Sequence, residues 1–419
     1  EHMVLDIVLF LILAALFAWR LWVAFPRPGA TAARKRSDRA LVLVVLGGGV
    51  NTAEMMADLR SLGSHLDDLD FVYLLGENDR GSLAQAEDFE WGRRNPSPPL
   101  AIKAPPGRTP GQGLMGGILS TLSGAWLCLR VILALRPDLV LCNGPGICEP
   151  VVFATYVLRV LGVKRVLIQY SECLSSVENL TDTGAALYDF VDRFIVQWPE
   201  VIRLYREADY GGRLYTEKEV APVRVGEPLP EPADLPCLPL PPPGAGPPTV
   251  LVNVGTAQFD ELMLAIDRAE FLEVLHDMGV KRLRVQRGRS FRPLMLERHG
   301  EFEQVDVEVV DFAKCTAAEL SQAAIVITHA GVGAVAECLQ AGARTVAVLP
   351  NGQLDRQRPD VELACALHRQ GLVVCCQASK LVSVLREEDF VSLRRYPTRP
   401  STTFTRCVSE LLYGGGGGG

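Results

Sequence analysis

The chain has 419 residues, 48% apolar and 22% charged, with a formal net charge of −7 at neutral pH. That length is more than one ordinary core requires and points to two domains, and the composition excludes a disordered chain. The acidic balance excludes general affinity for nucleic acid, which needs a basic surplus to neutralise phosphates.

The first element is an apolar run. Ile7 to Trp19 contains no polar residue, and Leu21 to Phe25 extends it past a single Arg20. Residues 4–25 are therefore expected to form a membrane-spanning anchor, with Arg20 snorkelling from its far end. Asp6 precedes the run, whereas Arg27, Arg34, Lys35, Arg36 and Arg39 follow it. Positive charge stays cytosolic, so the body is expected on the cytosolic side. A cleaved signal peptide would carry its positive charge before the run, and a helix lying in the membrane plane is the remaining alternative. The opening Glu1-His2 and the closing run of six glycines are set aside.

Two halves with one rhythm follow. In residues 40–220, strands are expected at Ala40 to Leu46, Phe71 to Leu75, Leu139 to Cys142, Val166 to Tyr170 and Arg193 to Gln197. Helix-like stretches run from Thr52 to Leu62 and from Asn143-Gly144-Pro145-Gly146 toward Leu161. The segment Asn95 to Gly117 reads as a surface loop, or as a loop that rests on the membrane together with the apolar stretch Leu114 to Leu135. Residues 221–248 hold 11 of the 28 prolines and read as a semi-rigid linker. In residues 249–413, strands are expected at Thr249 to Val254, Leu283 to Gln286, Ile325 to Thr328, Val346 to Leu349 and Leu372 to Cys375. Continuous apolar strands alternating with helices imply parallel sheets covered on both faces. The fold expected is α/β, two doubly wound domains facing a cleft, with the loops after the strand ends pointing into it.

Those loops carry the candidate chemistry. In the second half, His329-Ala330-Gly331-Val332-Gly333 links a strand to a helix, with Glu337 further along that helix. Glycines there let backbone N–H groups approach an anion, and a helix N-terminus adds positive charge, which suits a diphosphate; Glu337 suits ribose hydroxyls. Gly255-Thr256 and Gln286-Arg287-Gly288-Arg289 sit at two further strand ends. In the first half, Gly47-Gly48-Gly49-Val50-Asn51-Thr52 and Asn143-Gly144-Pro145-Gly146 are candidate anion nests. Glu54 lies one step into a helix and Glu172 closes a strand. Taken singly, each reads as well as a tight turn, a cap or a solvated charge. No DxD metal motif stands in the second half, so helix dipoles and cations are expected in place of a metal. The eleven cysteines are scattered and form no CxxC pair, so reduced thiols are expected.

These residues carry a resemblance. The apolar anchor, Leu141 to Gly146, Ser171-Glu172 and Val196-Gln197-Trp198-Pro199 resemble the membrane-anchoring subunit of the dolichol-pathway UDP-N-acetylglucosamine (UDP-GlcNAc) transferase. Val254-Gly255-Thr256 with Phe259-Asp260, Gln286 to Arg289, His329 to Gly333 with Glu337, and Glu362-Leu363-Ala364 resemble its catalytic subunit. The chain thus looks like a fusion of the two. The resemblance implies a GT-B fold and inverting transfer of GlcNAc from UDP-GlcNAc to GlcNAc-diphosphodolichol, giving β1,4-linked chitobiose. It further implies the cytosolic face of the endoplasmic reticulum membrane and, as partners, other enzymes of lipid-linked oligosaccharide assembly.

On that reading, Gly255, Thr256, Gln286, Arg287, Gly288, His329, Ala330, Gly331, Gly333 and Glu337 bind the donor, with Asp355 and Gln357 contacting its sugar. Gly47, Gly48, Gly49, Thr52, Asn143, Gly144 and Gly146 bind the acceptor, and no cofactor or metal is called for. The chain departs from the family pattern where Asn51 stands in a histidine's place and where Ala334 replaces a Ser or Thr. Asparagine cannot accept the hydroxyl proton, so Glu172 or Glu54 becomes the candidate base. A transferase acting on another lipid-phosphate acceptor and a catalytically silent scaffold are the alternatives.

Overall fold

The computed structural model describes residues 2–26, 31–32, 39–104, 114–144, 146–215, 220, 235–239, 247–299, 305–313, 315–352, 358–397 and 402–414. The first domain opens with β1 (Ala40–Leu46), whose sequence ALVLVVL is buried on both faces and so takes the middle of a sheet. It continues through α2 (Gly49–Ser61), β2 (Leu69–Gly76), α3 (Arg80–Trp91), β3 (Leu100–Ala104), α4 (Leu114–Leu135), β4 (Leu139–Asn143) and α5 (Cys148–Leu161). It closes with β5 (Leu167–Ser171), α6 (Asp182–Leu187), β6 (Arg193–Val196), α7 (Pro199–Leu204) and β7 (Asp209–Tyr210). The seven strands are parallel in the order β3-β2-β1-β4-β5-β6-β7. Ahead of them stands the apolar α1 (His2–Ala24), the described helix long and apolar enough to cross a membrane; its residues from Asp6 to Trp19 are exposed.

The second domain runs β8 (Thr249–Asn253), α8 (Asp260–Ile266), α9 (Ala269–Asp277), β9 (Arg282–Gln286), α10 (Leu294–His299), β10 (Asp306–Val310) and α11 (Ala317–Gln322). There follow β11 (Ile325–His329), α12 (Val332–Ala341), β12 (Thr345–Leu349), α13 (Pro359–Arg369), β13 (Val374–Gln377), α14 (Leu381–Glu387) and α15 (Thr402–Tyr413). Its six parallel strands are ordered β10-β9-β8-β11-β12-β13. Both orders reverse between the first strand and its later neighbour, β1/β4 and β8/β11. Turns at such a switch point open into a crevice. The two halves also share one core, in which Tyr170, Trp198 and Tyr210 cluster with Ala330, Val335, Leu339 and Leu363.

Four features correct the expectations. Residues 100–104, read as loop, form β3; with β7 and β10 this strand escaped notice because edge strands are half solvated and lack a continuous apolar run. β13 starts at Val374 rather than at Leu372. Helix α15, expected with the second domain, packs on the first sheet: Phe404, Cys407, Val408 and Leu411 cluster with Val42, Val44 and Leu59. Lastly, part of the proline-rich segment is docked. Leu238 N–H bonds Leu393 O at 2.8 Å, Arg395 N–H bonds Pro236 O at 2.7 Å, and Arg344 reaches the carbonyls of Leu238 and Pro239. All eleven cysteines are free thiols, and burial pushes Cys173 and Cys338 up to about 12, which leaves them inert.

Candidate functional site

The glycine turns of the two sheets meet. A Cβ built on Gly333 at the start of α12 would lie 3.0 Å from the side chain of Val50 at the start of α2. Val50, Glu54 and Asp58 recur every four residues and so share one face of α2. Glu54 and Asp58 line a cavity together with Ala336, Leu339 and Gln340 of α12, and with Arg213 and Tyr396.

Glu54 is half-buried as a residue, yet its Oε2 is closed from solvent and has no hydrogen-bond partner, while Oε1 accepts from Leu174 N–H at 3.2 Å. Burial chiefly, with the Asp58 carboxylate adding to it, pushes Glu54 up to about 8; the Leu174 N–H, the Asn143 side chain and the Arg213 guanidinium oppose the shift. Burial likewise pushes Asp58 up to about 7 against the pull of Arg213. A carboxyl titrating near neutrality with a bare oxygen is equipped to take a proton. Its support is traceable to a tryptophan: Trp198 is buried and donates from Nε1 to Leu174 O at 2.6 Å, which fixes the residue whose own N–H holds Glu54.

Glu172, the other candidate base, has a different environment. It is fully buried, and its oxygens accept from Cys173 N–H at 3.0 Å, Thr181 N–H at 3.2 Å and Thr181 Oγ1 at 3.0 and 3.1 Å. Gly184 leaves no room for a side chain beside its Oε2. Burial raises its pKa, but three donors engage both oxygens, the Thr181 hydroxyl being shared between them, so Glu172 ties the segment 173–181 to the sheet. The sequence could not separate the two glutamates because both follow strand ends; burial and bonding separate them.

Around Glu54 the first-half turns close up. Gly48 and Gly49 have positive φ, and Gly48 N–H bonds Thr52 Oγ1 at 3.2 Å. Thr52 is fully buried and meets Ser82 Oγ at 2.6 Å, which in turn donates to Asp79. Thr52 therefore fastens the turn rather than facing a ligand, contrary to expectation. The Asn51 amide lies flat on Gly144, where a Cβ would fall 2.5 Å from its Nδ2, and against Gly47. Gly144, at φ +92°, tolerates nothing larger than hydrogen. Asn143 is buried with an unbonded Oδ1, and Gly146 N–H is held by Thr183 Oγ1 at 3.3 Å. Pro145 lies outside the described residues.

In the second half the turns are stitched together. Gln286 is buried and donates to Gly255 O at 3.0 Å; Gly255 N–H bonds Asn253 Oδ1 at 2.8 Å, and Gly288 N–H bonds Asp311 O at 3.0 Å. Gln286 is thus a brace. Arg287 bonds Asp311 Oδ1 at 2.7 Å and also Ser290 O, so it too braces its turn, whereas Thr256 and Arg289 are exposed. The His329 ring lies between Gly255 and Gly331, and its Nδ1 is buried without a partner. Burial holds its pKa below the ordinary histidine value, so the ring is neutral at pH 7. Ala330 is buried beneath it, and Glu337 stands exposed in the second turn of α12. Asp355 and Gln357 lie outside the described residues. Among the described residues no group of three or more His, Cys, Asp or Glu could hold a metal ion. Asp58, Arg213 and Trp198 were not among the expected site residues, although the four-residue spacing of Glu54 and Asp58 was visible.

Comparison with known proteins agrees with this division. Residues 42–214 match the family described as oligosaccharide biosynthesis protein Alg14 like, and residues 249–402 match the glycosyltransferase family 28 C-terminal domain. The human UDP-N-acetylglucosamine transferase subunit ALG14 is 33% identical over 201 residues, 46% of this chain and 90% of the relative. Its counterpart from Candida albicans is 34% identical over 181 residues, 43% of this chain and 81% of the relative. Among solved structures, Acinetobacter baumannii MurG shares the fold at 16% identity and TM-score 0.57, covering 89% of this chain and 99% of that one. The UDP-GlcNAc 2-epimerase from Neisseria meningitidis, solved with UDP-GlcNAc, does so at 12% identity and TM-score 0.52, covering 88% and 99%. The fold is GT-B, and the chain belongs to the Alg14-like family, continued in the same polypeptide by a family 28 glycosyltransferase C-terminal domain.

Proposed function

We propose that the protein transfers GlcNAc from UDP-GlcNAc to GlcNAc-diphosphodolichol with inversion, giving the β1,4-chitobiosyl lipid, at the cytosolic face of the endoplasmic reticulum membrane. The observation that carries this reading is the bare, buried Glu54 carboxyl at the seam where the first-domain glycine turn meets the start of α12. The likeness to ALG14 subunits supports the dolichol-linked acceptor, and the apolar α1 supports the membrane.

In the mechanism, the Gly47 to Asn51 and Asn143 to Gly146 turns receive the acceptor diphosphate. Glu54 takes the proton of the attacking hydroxyl as that oxygen bonds to the sugar's anomeric carbon. UDP leaves on the opposite face. Its growing negative charge is received by the N–H groups at the start of the ten-residue α12 and by the neutral His329 ring. Glu337 and the braced 255 and 288 turns hold the nucleotide, and no metal is assigned a part.

The test uses the purified full-length chain, UDP-GlcNAc and a short-chain GlcNAc-diphosphate lipid, with the product identified by mass and by chitobiose-specific digestion. A disaccharide product supports the assignment. UDP binding without transfer to any lipid diphosphate would leave a scaffold, for which Asn51 in the histidine place is the motive.

A further inference from the structure

The base of α1 is bolted to the first domain. The carbonyls of the last turn of a helix lack intrahelical partners. Here Val23 O accepts from Arg165 Nη1 at 3.2 Å, Ala24 O from Arg159 Nη1 at 3.2 Å, and Phe25 O from Arg165 Nη2 at 3.3 Å. Cations at that end also oppose the negative pole of the helix. Arg159 is in turn buried and tied to Val166 O at 2.7 Å and to the buried Asp192. In the other direction, Arg20 Nε donates to Val160 O at 2.8 Å, its guanidinium lying over Gly162, where a Cβ would overlap it. Arg20, expected to snorkel from the far end of the helix, ends on α5. Phe25 completes the joint, packed against Tyr156 and Phe190 with ring centroids at 6.1 and 5.8 Å. Exposed Trp22, Leu161, Val163 and Phe190 ring it with apolar surface.

All three arginines act on one end of α5, and the Asn143 to Gly146 turn enters the other end. Fourteen residues separate them, about 21 Å of helix. A swing of about 30° at the joint would move the turn by about 10 Å relative to the bilayer, enough to lift it away from a diphosphate held at the surface.

We propose that Arg20, Arg159 and Arg165 are positioning residues that make α1 a rigid strut, holding the acceptor turn at a set height over the membrane and so favouring acceptors held in a bilayer over soluble ones. The proposal rests on the lipid-diphosphate reading above. The anchor acts through this joint and not merely through the chain that follows it.

The experiment compares wild type, Arg20→Ala/Arg165→Ala, and a variant with six Gly/Ser residues inserted after Pro26. Arg159 is left intact because it makes the closer, fully buried pair with Asp192 and also holds Val166 O, whereas Arg165 is half-exposed and stands 4.0 Å from that carboxylate. Nitroxides on ketone-bearing residues introduced at Leu13 and Glu87 report the spread of helix-to-domain distances in nanodiscs. Transfer is measured with a long-chain acceptor in vesicles and a short-chain soluble one. Wild type and the insertion variant are expected to show the same narrow spread and the same preference. The double variant is expected to broaden the spread and to raise KM for the vesicle acceptor about tenfold, with soluble-acceptor kinetics unchanged. A narrow spread in the double variant, broadening by the insertion alone, or a broad spread with unchanged acceptor preference would overturn the proposal. Absence of any GlcNAc transfer in wild type would overturn the preference, while the distance spread would still decide whether the joint is rigid.

Discussion

Replacing Glu54 by glutamine keeps the shape of the side chain and removes its ability to take a proton. A carboxyl with pKa about 8 is ionised in roughly one molecule in ten at pH 7 and in about nine in ten at pH 9. Wild-type kcat at saturating substrates is therefore expected to rise about tenfold between those values, with its midpoint near 8. Loss of a general base lowers turnover by about 10² to 10⁴-fold, so Glu54→Gln is expected to fall in that range and to lose the pH-dependent rise. The assay is initial-rate transfer to a short-chain acceptor from pH 6 to 9, with UDP binding measured in parallel to show the donor half intact. Glu172→Gln is the comparison. It puts an amide where three donors converge and is expected to cost about 1–3 kcal/mol of stability, with the pH midpoint of the surviving activity unmoved. An active Glu54→Gln with an unchanged profile, or a fully stable but dead Glu172→Gln, would refute the assignment of the base.

Gly144→Ala is expected to lower stability by about 1–3 kcal/mol in thermal unfolding, because the new methyl meets Asn51 in a backbone conformation that disfavours side chains. Adding Asn51→Gly should recover part of that loss, and a strictly additive pair would show that the two do not touch. Raised carboxyl pKa values mean that the folded state binds more protons than the unfolded one above their ordinary titration range. The stability contributed by Glu54 and Asp58 is thus fully present below about pH 4 and is lost as pH rises through 7 to 8. Glu54→Gln should flatten the fall in Tm between pH 6 and 8.5, and an unchanged slope would contradict the burial of that carboxyl. Transfer is expected to persist in EDTA, since helix and ring are assigned the charge of the leaving diphosphate; a loss restored by Mg²⁺ would reverse that assignment.

Much of this protein is written in local pattern. Aliphatic runs such as ALVLVVL lie at the centre of parallel sheets because only a strand covered on both faces can use them, and the glycines after them mark the turns that open on the crevice. The apolar first helix, the two-domain division and the family likeness follow from the same signals. What the sequence could not decide depends on neighbours remote in the chain. The half-solvated edge strands β3, β7 and β10 have weak patterns, and α15 returns to the first domain because its apolar face fits a sheet more than 200 residues earlier. Glu54 and Glu172 look alike as letters, yet one keeps a bare oxygen at a domain seam and the other is consumed by the segment it holds. Thr52 likewise reads as a ligand but is spent bracing its own turn, and Gln286 and Arg287 each commit donors to theirs, Gln286 keeping an unpartnered Oε1. Arg20 reads as a charge escaping a membrane, and only the fold reveals the carbonyl of Val160 waiting for it. Local propensity sets which elements form, whereas burial and hydrogen-bond closure, which set a side chain's chemistry, exist only once distant elements have packed.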